Sequence, residues 1–270
     1  MAGMENRENE KTAGPARKLL IHLCSFFVCL FCVKTTVSQP DEDSIQKQKQ
    51  YKNVIRYNLS GALLFGADKY IVFGYERVIK PHQSISVNFG KASLPRLVNI
   101  VTDSFALNGD KKSTGINASI DYRFYLAKEN KFQTPHGLYI GPYYSFNKFD
   151  RDSRWDRTRS GAASFVTTNT EFTINTLGFE LGYQLVLWKR LTLDFLMVGP
   201  GIGLYDYHVK FDGDITPADK EQLLDGLKQM LTQKFPGMNF VFSDEEISSN
   251  GTLNTTAMSY RYLIHIGFLF

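Results

Sequence analysis

The sequence is short of thiols, of tryptophan and of net charge. Its three cysteines, Cys24, Cys29 and Cys32, all fall in one apolar stretch near the N-terminus. Without that stretch the chain has no thiol, which excludes a disulfide framework and thiolate metal ligation. Two Trp stand against 14 Tyr and 21 Phe, a balance that favours strands over helices. The net charge of +4 is too small to argue for nucleic acid as a partner. No metal-ligand cluster, phosphate-cradling glycine loop or nucleophile elbow is present, so no cofactor is expected. Beyond residue 33 no segment is apolar enough to cross a membrane as a helix.

Residues 19–33 carry no formal charge and follow Arg17-Lys18. They are short for a spanning helix, which needs about 20 apolar residues. A basic flank, an apolar core and then Thr36-Val-Ser38 before Gln39 read as a secretory signal peptide over 1–38. An uncleaved signal anchor is the alternative. A lipoprotein signal fits less well, because His22-Leu23 and Leu30-Phe31 precede Cys24 and Cys32. Residues 39–52, charged and Gln/Lys-rich, read as a solvated leader.

The rest of the chain, 53–270, alternates with period two. Eight strands are expected, at 53–65, 70–79, 83–90, 115–127, 138–149, 171–187, 191–207 and 259–270. In the third, Ile85, Val87 and Phe89 oppose Ser84, Ser86 and Asn88. In the last, Tyr260, Tyr262, Ile264, Ile266, Phe268 and Phe270 oppose Arg261, Leu263, His265 and Gly267. Residues 91–114 read as a polar connection. Residues 148–159 hold five basic and three acidic residues around Trp155 and read as a solvated loop, although the arginines of 151–159 could meet phosphate groups. An insertion over about 208–257 contains a helix at 217–235. Thr216 is its N-cap, Pro217 stands at N1, and Asp219 at N3 completes a capping box. Leu223, Leu224, Leu227, Met230 and Leu231 form its apolar stripe, which reads as a lid over a barrel mouth.

Alternation alone does not separate a membrane barrel from a soluble, lipocalin-like one. The polar faces decide, because they carry Ser, Asn, Gly and Thr where a solvated face would be crowded with Lys and Glu. Small uncharged groups suit the cramped lumen of eight strands. By parity, Glu76, Asp121, Glu180 and Asp194 point inward, as do Arg56, Arg123, Arg261 and His265. In a narrow lumen these charges are expected to be paired in one band. Tyr139, Tyr143, Tyr144 and Tyr205 are expected in aromatic girdles facing lipid.

Gly137-Leu-Tyr-Ile-Gly-Pro-Tyr143, Leu177-Gly-Phe-Glu-Leu-Gly-Tyr-Gln184, Arg190-Leu-Thr-Leu-Asp194 and Gly199-Pro-Gly-Ile-Gly203 resemble segments of a family of small bacterial outer-membrane β-barrels of unknown function, eight-stranded barrels of the OmpX/OmpA-like kind. The likeness covers roughly residues 51–205 and the last strand. It implies an all-β fold, an eight-stranded antiparallel transmembrane β-barrel in a Gram-negative outer membrane; the helical insertion falls outside the shared pattern and is expected in an extracellular loop, with both termini periplasmic. It also implies that Phe270, with Phe268 before it, serves as the signal read by the barrel-assembly machinery. The partners expected are outer-membrane lipid and lipopolysaccharide, and an extracellular partner for the loops. The function expected is non-enzymatic, structural or surface-binding. A narrow-pore transporter is the alternative, and a lipid-modifying enzyme comes third. For the enzyme, His82 and His136 sit in turns and His208 at a strand end. Only His265, with Asp194 beside it, faces the lumen, but it lies too near the periplasmic end for chemistry on outer-leaflet lipid.

Overall fold

The computed structural model describes residues 51–93, 105–126, 132–157, 165–213, 215–234 and 251–270. Residues 1–38, expected as a signal peptide, and all but the last two residues of the expected leader lie outside the described residues. Eight strands follow in order: β1 Asn53–Asn58, β2 Tyr70–Lys80, β3 Gln83–Ala92, β4 Phe105–Tyr125, β5 Gly137–Arg157, β6 Phe165–Leu187, β7 Leu191–Asp212 and β8 Thr252–Leu269. Each pairs antiparallel with its neighbour, and β1 pairs with β8 to close the sheet into a barrel. Closure is tied at the chain end, where Asn53 and Phe270 exchange backbone hydrogen bonds at 3.0 and 2.8 Å.

The first strand is shorter than its alternation indicates. At Asn58 the chain leaves the sheet and forms helix α1, Leu59–Phe65. Asn58 caps it, its side-chain oxygen accepting from Gly61 N at 2.9 Å and Ser60 Oγ at 3.0 Å, an interaction that competes with sheet pairing. Gly61 lets the turn sit on the Tyr70 ring, since a Cβ there would lie 2.1 Å from a ring carbon.

Strands β4 to β8 run longer than expected. Residues 148–157, read as a loop, continue β5, and 105–114 belong to β4. Likewise β7 reaches Asp212 and β8 begins at Thr252, so the insertion is shorter than 208–257. Arg151, Ser153 and Trp155 are buried inside this extension, which corrects the reading of a solvated loop over 151–157; residues 158–159 lie outside the described residues. Only Lys148, Asp150, Asp152, Arg154 and Asp156 face outward. Charge on alternate positions is what a half-exposed strand carries, but so many charges in one run hid the apolar and small residues between them.

The barrel therefore has two tiers. In the lower one all eight strands take part. In the upper one β4–β8 continue and enclose an apolar core of Phe105, Trp155, Val166, Phe172, Tyr207 and Leu253, among others. Helix α2, Pro217–Lys234, drives Leu223 and Leu227 into that core, at 0% and 1% exposure. Its capping box is in place: Asp219 N donates to Thr216 Oγ1 at 3.2 Å and Thr216 N to Asp219 Oδ2 at 3.4 Å.

Candidate functional site

The interior of the lower tier is ionic. Each inward position follows from strand parity and register. Arg56 on β1 stands opposite two glycines, Gly74 and Gly267. A Cβ at Gly74 would come within 2.9 Å of the Arg56 side chain, so the glycine leaves room for the guanidinium to cross the lumen. Arg56 Nη1 reaches Asp194 at 2.9 Å and Glu76 at 3.7 Å, and Nη2 reaches Asp121 at 3.3 Å. Ser86 Oγ and Asn88 Oδ1 also accept from this guanidinium.

Arg123 on β4, with no exposed surface, spans the opposite side. It contacts Asp194 at 2.9 Å, Glu180 at 3.4 Å and Glu76 at 3.5 Å, and its guanidinium lies 4.2 Å from the Tyr139 ring centre. Arg261 on β8 bridges Asp121 and Glu180 and stacks on Tyr143 at 3.9 Å. His265, paired across strands with Asp194, brings Nδ1 to 3.4 Å from that carboxylate. All eight residues expected in the lumen charge band are thus brought into one cluster.

Neutral groups finish the cluster. Ser84 donates to Glu76 at 2.6 Å and Tyr139 to Asp194 at 2.7 Å. The Tyr125 hydroxyl lies 2.9 Å from Glu76 and 2.8 Å from Gln184. Four carboxylates against three guanidiniums need such donors, because a buried charge without full pairing is costly.

Three of the four tyrosines placed in lipid-facing girdles point inward instead. Tyr139, Tyr143 and Tyr205 are buried, and Tyr144 alone is exposed. Strand β5 has aromatics on both faces, so alternation does not assign its sides; partners do, and Tyr143 donates to the Gly199 carbonyl at 2.9 Å. For Tyr205 the cause is a register shift of β7 between Leu196 and Gly199. Asp194 at an even number and Tyr205 at an odd one then share a face, as an extra residue in a strand requires.

Outside the lower tier the wall is apolar. Ile55, Phe73, Phe89, Leu177, Phe179 and Tyr262 are each half or more exposed, with Phe179 at 69% beside Glu180 at 2%. The terminal Phe268 and Phe270 belong to this outer face. Between ionic floor and apolar upper core lies a cavity of about 290 Å³. Among the described residues no group of His, Cys, Asp and Glu could hold a metal ion. No protein-family model matches the chain, and no curated protein or solved structure does.

Proposed function

We propose that this chain is a bacterial outer-membrane barrel whose lower tier crosses the bilayer and whose upper tier, with α2, stands outside the cell as a non-enzymatic binding or structural surface. One observation carries the reading: the polarity of the strands inverts partway along them. The outward row Ile120, Tyr144, Leu177, Ile202 and Met258, joined residue to residue across β4–β8, is entirely apolar. Four residues further up, the corresponding row is Ile116, Lys148, Thr173, Asp206 and Asn254.

Inside, the sequence of environments is the reverse. The floor is ionic, and the upper row of Phe149, Phe172, Tyr207 and Leu253 is aromatic and aliphatic. A wall that is apolar outside and ionic inside suits hydrocarbon, whereas one that is charged outside and apolar inside suits water. On β4 the outward apolar run, residues 116–124, matches the roughly 9–11 residues that a tilted strand needs to cross the bilayer. Strands β2 and β3 end near this boundary and β1 stops short of it, so the eight-stranded part lies within the lipid-facing part. In water such a wall would be a large exposed apolar patch.

The lower tier is filled by large side chains, which disfavours the narrow-pore alternative. Lipid and lipopolysaccharide are then the surroundings of the outer face, and Phe270 is the residue the assembly machinery would read. The test is fractionation of expressing cells combined with protease added to intact cells. The expected outcome is recovery with the outer membrane, loss of the α2 region and survival of the rest. Recovery as a soluble protein, or cleavage at the 81–82 or 188–190 turns, overturns the reading.

A further inference from the structure

The lower tier has a break in its wall. Strand β1 pairs with β8 only from Val54↔Leu269 to Asn58↔His265. Above that point no described strand pairs with this edge of β8. Helix α1 takes the place a strand would fill, and Ser60 Oγ accepts from Ile264 N at 3.2 Å. That single contact replaces the next rung of the ladder. Because β1 takes hydrogen bonds from the even-numbered residues of β8, the backbone groups of Tyr262, Tyr260 and Met258 face the break. Leu63 and Leu64 of α1 stand at 73% and 76% exposure at its other side.

The cavity between floor and upper core reaches this break. Its lining combines inward residues of the far wall, such as Asn117, Ser119 and Tyr143, with Met258 and Tyr260, which belong to the outer face of β8 and are 60% and 51% exposed. Residues 258–261 line it consecutively, so the stretch of β8 beside the break borders the same space as the far wall. Arg261, which lines the cavity, keeps 11% of its side chain exposed, against 1% for Arg56 and 0% for Arg123.

At the inner end stands His265, 2% exposed, lining the cavity with an Nε2 that has no protein partner. Around it the lining offers amides and hydroxyls, from Asn117, Ser119, Ser145 and Ser259. It offers no unclaimed cation, since Arg261 already bridges Asp121 and Glu180. Towards the break and the upper core the lining turns apolar, with Phe65, Phe149 and Leu263.

We propose that this cavity binds a single-chain amphiphile with an uncharged, hydroxyl- or amide-bearing head, which enters sideways from the lipid between α1 and β8. The head hydrogen-bonds His265 Nε2 and the neighbouring amides, and the chain lies along the apolar part of the cavity and out through the break. An anionic head is disfavoured, because the floor holds four carboxylates against three guanidiniums. The volume falls at the small end of ligand pockets, about 300–1,000 Å³, which suits one chain rather than a two-chain lipid. The route rests on the membrane reading above.

The test uses the full chain in nanodiscs and a monolauroylglycerol carrying a diazirine on its acyl chain. After photolysis the labelled residues are mapped by mass spectrometry. Label is expected on inward cavity residues and on Met258 and Tyr260, and unlabelled monolauroylglycerol should compete it away while laurate does not. Filling the cavity by Ser119→Phe, or independently by Ser145→Leu on the next strand, should lower the internal label at least about tenfold, the scale of steric misfit in a pocket. Label confined to outer-face residues such as Leu177 and Phe179, in chains that have entered the nanodisc, overturns this proposal alone. So does equal competition by laurate, or internal label unchanged in both filled variants. Failure to enter the bilayer at all overturns the membrane reading and this proposal with it.

Discussion

The two tiers of this barrel fill the same kind of space with opposite materials. Below, charged and hydroxyl-bearing side chains from every strand meet in the lumen, with each arginine touching at least two carboxylates. Above, aromatic and aliphatic groups from five strands and a helix close an ordinary apolar core. On the proposed membrane reading, the contrast follows from what lies outside each wall. A lower wall that must be apolar outward leaves polar groups only one place to go, and they become stable there by pairing. The upper wall is charged outward and can bury hydrophobic surface in the usual sense, worth about 25 cal/mol per Å².

The comparison breaks most visibly if one guanidinium is removed below. Arg123→Met keeps an unbranched side chain but removes the one partner that Glu76, Glu180 and Asp194 all share. Destabilisation of about 3–5 kcal/mol is expected, as for other broken buried ion pairs, and it should lower the stability of the whole barrel. Adding Glu180→Gln should restore much of the loss. Urea unfolding in detergent, followed by the heat-modifiable gel shift, measures both variants. Purely additive losses would mean that the charges are not one network.

In the upper tier the matched experiment is Leu223→Ala, which empties a fully buried site on α2. A loss of about 2–5 kcal/mol is expected, but it should be confined to that tier. Hydrogen exchange should quicken in α2 and the upper halves of β5–β7 while the β1–β8 seam stays protected. Equal loss of protection at the seam would make the two tiers one cooperative unit and remove the distinction.

How far the sequence led differs between the tiers for a related reason. Period two with small polar residues on one face identified the lower strands, and parity brought Arg56, Glu76, Asp121, Arg123, Glu180, Asp194, Arg261 and His265 to one side. Parity fails where a strand gains a residue, as between Leu196 and Gly199, and where both faces are aromatic, as at Tyr143-Tyr144. It also fails where a side chain caps its own backbone, as Asn58 does. In the upper tier the outward charges of β5 alternate as regularly as any apolar set, but a run holding Lys148, Asp150, Arg151, Asp152 and Arg154 is indistinguishable by composition from a loop. What buries Trp155 is the register with β4 and β6, a long-range fact. The helix was readable because its signals are local: a cap, a proline and a stripe.

A smaller effect sharpens the view of α2 as a docked lid whose stability is partly its own. Thr216→Ala removes the acceptor for Asp219 N and should cost about 1 kcal/mol. Because Leu223 and Leu227 hold the helix by packing, the loss should appear as fraying of its first turn rather than undocking. Exchange rates of the amides of residues 218–220 report it. Quickening along the entire helix would show that the cap, and not the apolar contact, holds it in place.

The smallest expected effect lies at the lower rim, just outside the wall. His136, in the β4–β5 connection, stacks on Phe132 with ring centres 4.3 Å apart and meets the edge of Tyr183 at 6.3 Å. Burial among these rings disfavours the imidazolium and holds its pKa below the ordinary value of 6.5. The unfolded connection, with His136 exposed, takes up a proton near that ordinary value, whereas the folded one resists it. Between the two values the unfolded form binds more protons, so the stability from this contact is complete above about pH 6.5 and declines as the pH falls towards the folded value. Acidification should therefore loosen this rim locally. The His136 ring proton resonance, followed through a pH titration of the detergent-solubilised protein, should show a midpoint below 6.5 that rises when Phe132→Ala opens the stack. A native midpoint at or above 6.5 would mean that water reaches the imidazole freely, and that the rim, unlike the ionic tier above it, is not packed.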